Sequence, residues 1–149
     1  MDCNLIGNVE KILATDGIYI SSTKGVSMLP MIKTGRDVVV ISPKKERLKR
    51  FDVALYRRGE AYVLHRVIEV LPDSYLIRGD NTYVDEFIPE SAVIGVMTEY
   101  YRGRKNILAT DKKYLDYVEK RVKSYPKRKK RYEFTKKFKS KIKKLLGKE

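Results

Sequence analysis

The chain has 149 residues, a single cysteine, and 33 Lys/Arg against 19 Asp/Glu, for a formal net charge of +14. This length suits one modest domain with an appendage, and Cys3 alone excludes an intramolecular disulfide framework or a Cys-rich zinc site. The longest runs free of charged residues, Gly25–Ile32 and Ser91–Thr98, have eight residues each, far short of the roughly 20 that a membrane-spanning helix needs.

The charge is uneven. Asp111–Glu149 holds 17 Lys/Arg and 5 Asp/Glu, a net +12, which leaves +2 for the first 110 residues. A near-neutral body therefore carries a strongly basic tail, and such tails meet polyanions. Met1–Glu10 has no basic region followed by an apolar run, so no secretory signal peptide is expected. A reducing, cytoplasmic setting fits the cysteine usage.

In chain order, Leu5, Val9, Ile12 and Leu13 fall at helical spacing before Asp16-Gly17. They predict a short amphipathic N-terminal helix. The pattern then turns to short β-rich runs at Ile18–Ile20, Val38–Ile41, Val53–Tyr56, Tyr62–Leu64 with Val67-Ile68, Tyr75–Ile77 and Ala92–Val96. Turn residues separate them, and Arg57-Arg58-Gly59-Glu60 reads as a hairpin loop. The expectation is a compact antiparallel barrel or sandwich spanning residues 1–108.

Composition changes again over 109–149. Tyr114, Tyr117, Val118, Arg121 and Val122 share one helix face, and Pro126 breaks that helix. Phe134, Phe138, Ile142 and Leu145 then form an apolar stripe among Lys130, Lys136, Lys137, Lys139, Lys141, Lys143, Lys144 and Lys148. This is a basic amphipathic helical tail.

Three features carry chemistry. His65, the only histidine, lies in the strand-like run Tyr62–Ile68. Ser27 follows a strand within Gly25-Val26-Ser27-Met28-Leu29-Pro30-Met31, and a rigid turn of this kind can expose a nucleophilic Oγ beside backbone N–H groups. Gly79-Asp80-Asn81 closes another strand, where a carboxylate could orient an imidazole and stabilise its cation. Each feature also has an ordinary structural explanation, as a strand histidine, a turn serine and an Asx turn.

Taken in order, Ser27-Met28-x-Pro30, Arg36–Val40, His65-Arg66-Val67-Ile68, Gly79-Asp80-Asn81 and Ala92–Gly95 resemble the conserved boxes of type I signal peptidases. That family's mainly β, barrel-type fold is shared with LexA-like self-cleaving repressors, and the resemblance covers about Gly17–Arg104. With histidine at position 65, the resemblance is to the His-type archaeal and endoplasmic-reticulum enzymes rather than to the Lys-type ones. The residues agree: no lysine lies between Arg50 and Arg78, and arginine does not deprotonate in proteins.

The resemblance implies a serine endopeptidase acting on signal- or leader-type peptides, with Ser27 as nucleophile, His65 as general base and no cofactor or metal. It offers Asp80 first as the third catalytic member, Asp85 second, and Glu86 besides. It implies an extended peptide or precursor protein as substrate, bound along Ile18–Thr23, with Tyr19, Ser21, Gly25 and Met28 on the substrate side. The chain departs from the family at Arg36, inserted between Gly35 and Asp37, and at Gly25, where many relatives carry a hydroxyl that aids the oxyanion hole. It also shows no membrane anchor. The 126–149 tail is expected either to offer peripheral contact with an anionic membrane, at its inner face, or to pack its apolar stripe on the β body. The competing expectation is a non-catalytic binding protein of the same fold whose tail binds nucleic acid or membrane. Tyr125, Tyr132, Phe134 and Phe138 interleave with basic residues there, as stacking side chains would.

Overall fold

The computed structural model describes the backbone of residues 4–5 and the whole of residues 8–147; Cys3, Lys148 and the Leu5 side chain lie outside the described residues. The elements in chain order are β1 (Asn4–Leu5), α1 (Val9–Asp16), β2 (Tyr19–Ser22), β3 (Asp37–Pro43), β4 (Val53–Arg58), β5 (Ala61–Val70), β6 (Ser74–Arg78), β7 (Glu86–Pro89), β8 (Val93–Arg102), β9 (Lys105–Leu108), α2 (Lys112–Lys123) and α3 (Tyr125–Leu145). The chain is mainly β, with a short N-terminal helix and two C-terminal helices.

The strands form one nine-stranded antiparallel sheet, ordered β2-β3-β8-β4-β5-β6-β7, with β1 on β5 and β9 on β8. Among the described residues no hydrogen-bonded pair joins β2 to β7, so the ladder is open rather than a closed barrel. The predicted hairpin loop is present, and Gly59 takes the positive φ of 59° that the tight turn between β4 and β5 requires. Leu5, expected in the first helix, instead belongs to β1, paired with Tyr62. Asn8 caps α1 through Oδ1, and Gly17 closes it in the left-handed conformation.

Both faces of the central strands are buried. On β4, Val53 and Leu55 enter one apolar cluster, with Val9, Leu13, Met28, Ile32, Leu64 and Met97. Ala54 and Tyr56 enter the other, with Val63, Val67, Tyr75 and Ile77. The period of two along a strand makes this division. Tyr114 and Val118 of α2 belong to the first cluster. α2, within the 109–149 stretch expected as a tail, therefore packs on the core of the β body. Composition set it with the tail because α2 is basic on its outer face while burying its inner one.

Arg66 and Asp80 cross-link this body. Arg66 is wholly buried. Its Nε donates to Asp80 Oδ1 at 2.7 Å and its Nη2 to Asp80 Oδ2 at 2.8 Å. Its Nη1 reaches the Phe51 carbonyl and the Tyr114 hydroxyl. Burial opposes the guanidinium charge, but Asp80 and Tyr114 outweigh it and raise the Arg66 pKa above its ordinary value. Removing one charge of such a pair strands the other in the core. Asp80→Asn is expected to lower unfolding free energy by about 3–5 kcal/mol, measured by urea denaturation. Lys112→Ala, which breaks an exposed pair with Asp116, leaves the midpoint unchanged.

Candidate active site

Register across four strands brings the polar residues together. His65 lies opposite Ala54 on β4, so Tyr56, two residues on, is its diagonal neighbour on the same face. Val67 shares the His65 face, pairs with Ile77 on β6, and Ile77 pairs with Glu86 at the start of β7. Tyr56, His65 and Glu86 thus converge. Ser27 arrives from the turn after β2, which is tied to the 79–82 turn by Asn81 N–H donating to the Ser27 carbonyl at 2.7 Å and Asn81 Nδ2 donating to the Val26 carbonyl.

The result is a chain of hydrogen bonds. Ser27 Oγ lies 3.0 Å from His65 Nε2. His65 Nδ1 lies 3.0 Å from the Tyr56 hydroxyl and 3.3 Å from Glu86 Oε1. The Tyr56 hydroxyl donates to Glu86 Oε1 at 3.0 Å, and Arg58 pairs with that same carboxylate oxygen. Ser27 and His65 are only 1% and 2% exposed.

Proton positions follow from valence. A phenol has one proton to donate, and the anionic carboxylate is its stronger acceptor. With that proton committed to Glu86, the Tyr56 oxygen accepts from His65 Nδ1–H and from Arg58 Nη2 at 3.3 Å. A proton on Nδ1 leaves Nε2 of the neutral ring as an acceptor for the Ser27 hydroxyl. This is the tautomer that serine activation needs.

Local charge supports the assignment. Hydrogen bonding with His65, then with Tyr56, and the charge of Arg58 hold the Glu86 carboxyl at about 2 against the desolvation of its partial burial. Burial, and then the Glu86 charge, raise the Tyr56 phenol above its ordinary value, so it stays protonated.

Gly79 permits this approach. A Cβ there would stand 2.8 Å from the Ser27 carbonyl oxygen and 3.0 Å from His65 Nε2. The turn it begins is held from outside by α2 and α3. Arg121 Nε and Arg128 Nη1 both donate to the Asp80 carbonyl, Tyr117 donates to Asp80 Oδ2, and Tyr83 stacks on Tyr125 and Tyr132.

No protein-family model and no curated protein matches this chain. The chemistry of the site rests on its own geometry. Among the described residues no group of three or more His, Cys, Asp or Glu is placed to hold a metal ion.

Of the sequence-predicted residues, the fold brings Ser27 and His65 together and sets Glu86, rather than Asp80 or Asp85, beside the imidazole. Asp80 is spent on Arg66. Asp85 turns to Arg78, 2.5 Å away. Glu86, expected behind both, is the carboxylate that faces the imidazole. Tyr56 and Arg58 were not anticipated. On the expected substrate side, Tyr19 and Met28 are core residues and cannot present themselves to a peptide where they stand. Ser21 is on β2, and its hydroxyl donates to the Ser22 carbonyl. Gly25 sits at φ 98°, in the turn that leads to Ser27.

Two stability measurements probe the site. Gly79→Ala forces a methyl into contacts already under 3.1 Å and is expected to cost about 1–3 kcal/mol, read as a lower urea midpoint. Glu86 binds a proton more readily unfolded, near 4.5, than folded, at about 2. Its interactions therefore stabilise the fold above that window and are lost as pH falls through it. Glu86→Gln should be less stable than wild type at pH 7 and show a shallower acid loss across the same window.

Proposed function

We propose that this protein is a serine endopeptidase with a signal peptidase-like fold, cleaving signal- or leader-type peptides. The observation that carries the reading is Ser27 Oγ at 3.0 Å from His65 Nε2, with the far ring nitrogen backed by Tyr56 and Glu86. That is a nucleophile, a base, and a group to orient the base.

In the proposed reaction His65 Nε2 takes the Ser27 proton as Oγ attacks a peptide carbonyl. The imidazolium that forms keeps its Nδ1 proton on the Tyr56 oxygen, with the Glu86 charge beside it. Collapse of the tetrahedral adduct breaks the peptide bond, and the leaving amine takes the Nε2 proton. Water, deprotonated by the same nitrogen, then hydrolyses the acyl-serine. Tyr56 positions the base and carries the influence of Glu86 to it. Backbone N–H groups near Ser27 are the natural oxyanion donors in this reading, since Gly25 brings no hydroxyl.

Both members of the pair are nearly inaccessible, so a substrate reaches Ser27 only after a neighbouring element shifts. β2 is an edge of the sheet, and Ile20, on the face opposite buried Tyr19, is exposed. An extended peptide could add there as a further strand. The lack of any lysine between Arg50 and Arg78, and the run of boxes from Ser27 to Gly95, support the same family reading.

The test compares wild type with Ser27→Ala and His65→Ala on a complex peptide pool, new termini being identified by mass spectrometry. Wild type should generate termini that both variants lose, and should form a single adduct on Ser27 with an electrophilic serine probe. Termini produced equally by Ser27→Ala, or neither termini nor adduct from wild type, would sink the proposal. On a peptide so identified, Glu86→Gln and Tyr56→Phe should lower kcat/KM by roughly 10–10³-fold, by analogy with disturbed orienting groups in serine hydrolases. Asp85→Asn should stay within about threefold of wild type, as expected of a partly exposed ion pair.

A further inference from the structure

The far half of α3 is open to solvent along its whole length. From Lys130 to Gly147 every residue is exposed, and α3 buries none of its side chains. Over Lys130–Leu145 it carries eight Lys/Arg against Glu133 alone. Lys137 and Lys141, and Lys139 and Lys143, stand four residues apart, where like charges weaken a helix. Helices in proteins draw most of their stability from packing an amphipathic face, and this stretch buries no face of its own against the body. Such a concentration of exposed positive charge attracts polyanions.

Phe134, Phe138, Ile142 and Leu145 are all exposed, Phe134 by 70% and Leu145 by 86%. At about 100° per residue they share an arc of about 80°. Tyr125, Arg128 and Tyr132, which touch the 78–83 segment, lie about a third of a turn away on the same wheel. The stripe therefore does not continue the face that α3 packs on its own body. No helix among the described residues is long and apolar enough to cross a membrane.

We infer that the outer half of α3 is a docking surface for an anionic lipid bilayer, lying in the plane of the interface. Its cations match the headgroup charge, and its apolar stripe enters the acyl boundary. A nucleic acid would satisfy the lysines but leave Ile142, Leu145 and Leu146 in water, and a second copy of so basic a helix repels the first. The inference stands on α3 alone and does not rest on the proposed catalysis.

The full chain is mixed with vesicles of phosphatidylcholine, or of phosphatidylcholine with phosphatidylglycerol, and floated on a density gradient. Binding is expected only to the anionic vesicles, weakening by more than about tenfold as salt rises from about 0.1 to about 1 M. The variant Phe134→Ser/Phe138→Ser/Leu145→Ser changes only exposed positions, so the body should keep its urea midpoint. It should bind those vesicles at least about tenfold more weakly. No binding to the anionic vesicles, or binding that the triple variant retains in full, would overturn the inference. So would an oligonucleotide bound more tightly than the vesicles and equally well by both proteins.

Discussion

The buried pair between Arg66 and Asp80 holds the site's two halves in place. Arg66 follows His65 on β5, and Asp80 follows Gly79, whose backbone lies against Ser27 and His65. One bidentate ion pair thus fixes the strand that carries the imidazole to the turn packed on the serine. Its remaining hydrogen bonds reach the Phe51 carbonyl, Tyr114 and Tyr117, so α2 is drawn into the same network. Two charges taken from water cost several kcal/mol each unless geometry and further bonds offset the loss. Here every guanidinium nitrogen has a partner, Nη2 reaching the Met31 sulfur besides Asp80. The pair's value lies less in stability than in position, because it tolerates little relative movement of the elements it joins.

The alternation of a β-strand lets neighbouring residues do opposite work. Arg66 points into the cluster beneath α2, whereas His65 points to the face with Tyr56 and Val67. Cross-strand register then adds Glu86 from β7 to the His65 side, and the Arg78–Asp85 pair is formed by its own separate partners. A one-residue slip between β5 and β6 would exchange the two faces. The bulge after Val67 lies beyond the paired positions that set the site, so the row Val67–Ile77–Glu86 survives it.

Much of this was legible in the sequence, and the failures have physical causes. Ser27 and His65 stand out because only one histidine exists and a stiff turn surrounds the serine. The strands from β2 to β6, and the start of β8, follow from β-rich runs and turn residues. Asp80 misleads because the turn motif advertises a fixed carboxylate without saying what fixes it; its partner, Arg66, lies 14 positions earlier. A buried arginine demands a counter-charge, and that demand was the available clue. Glu86 opens a four-residue strand with no alternation long enough to detect. Tyr56 looks like one more core residue, although the hairpin at Gly59 already sets it diagonal to His65. The strands β1 and β9 are too short to leave a pattern.

The C-terminal segment shows why composition is a poor guide to where a body ends. α2 and α3 are both rich in lysine, yet they meet the fold differently. α2 sets Tyr114 and Val118 four residues apart, and both sink into the core. α3 spends Tyr125, Arg128 and Tyr132 on the 78–83 segment, then turns a different face, the one bearing Phe134 and Phe138, away from the body. Charge alone cannot separate these cases, because lysine stems tolerate a surface beside either a core or solvent. The angular position of the apolar residues does separate them. In α2 that face points at the sheet and completes it; in α3 it points outward, so the same helix that braces the turn over Ser27 also extends a basic, apolar-striped arm away from it.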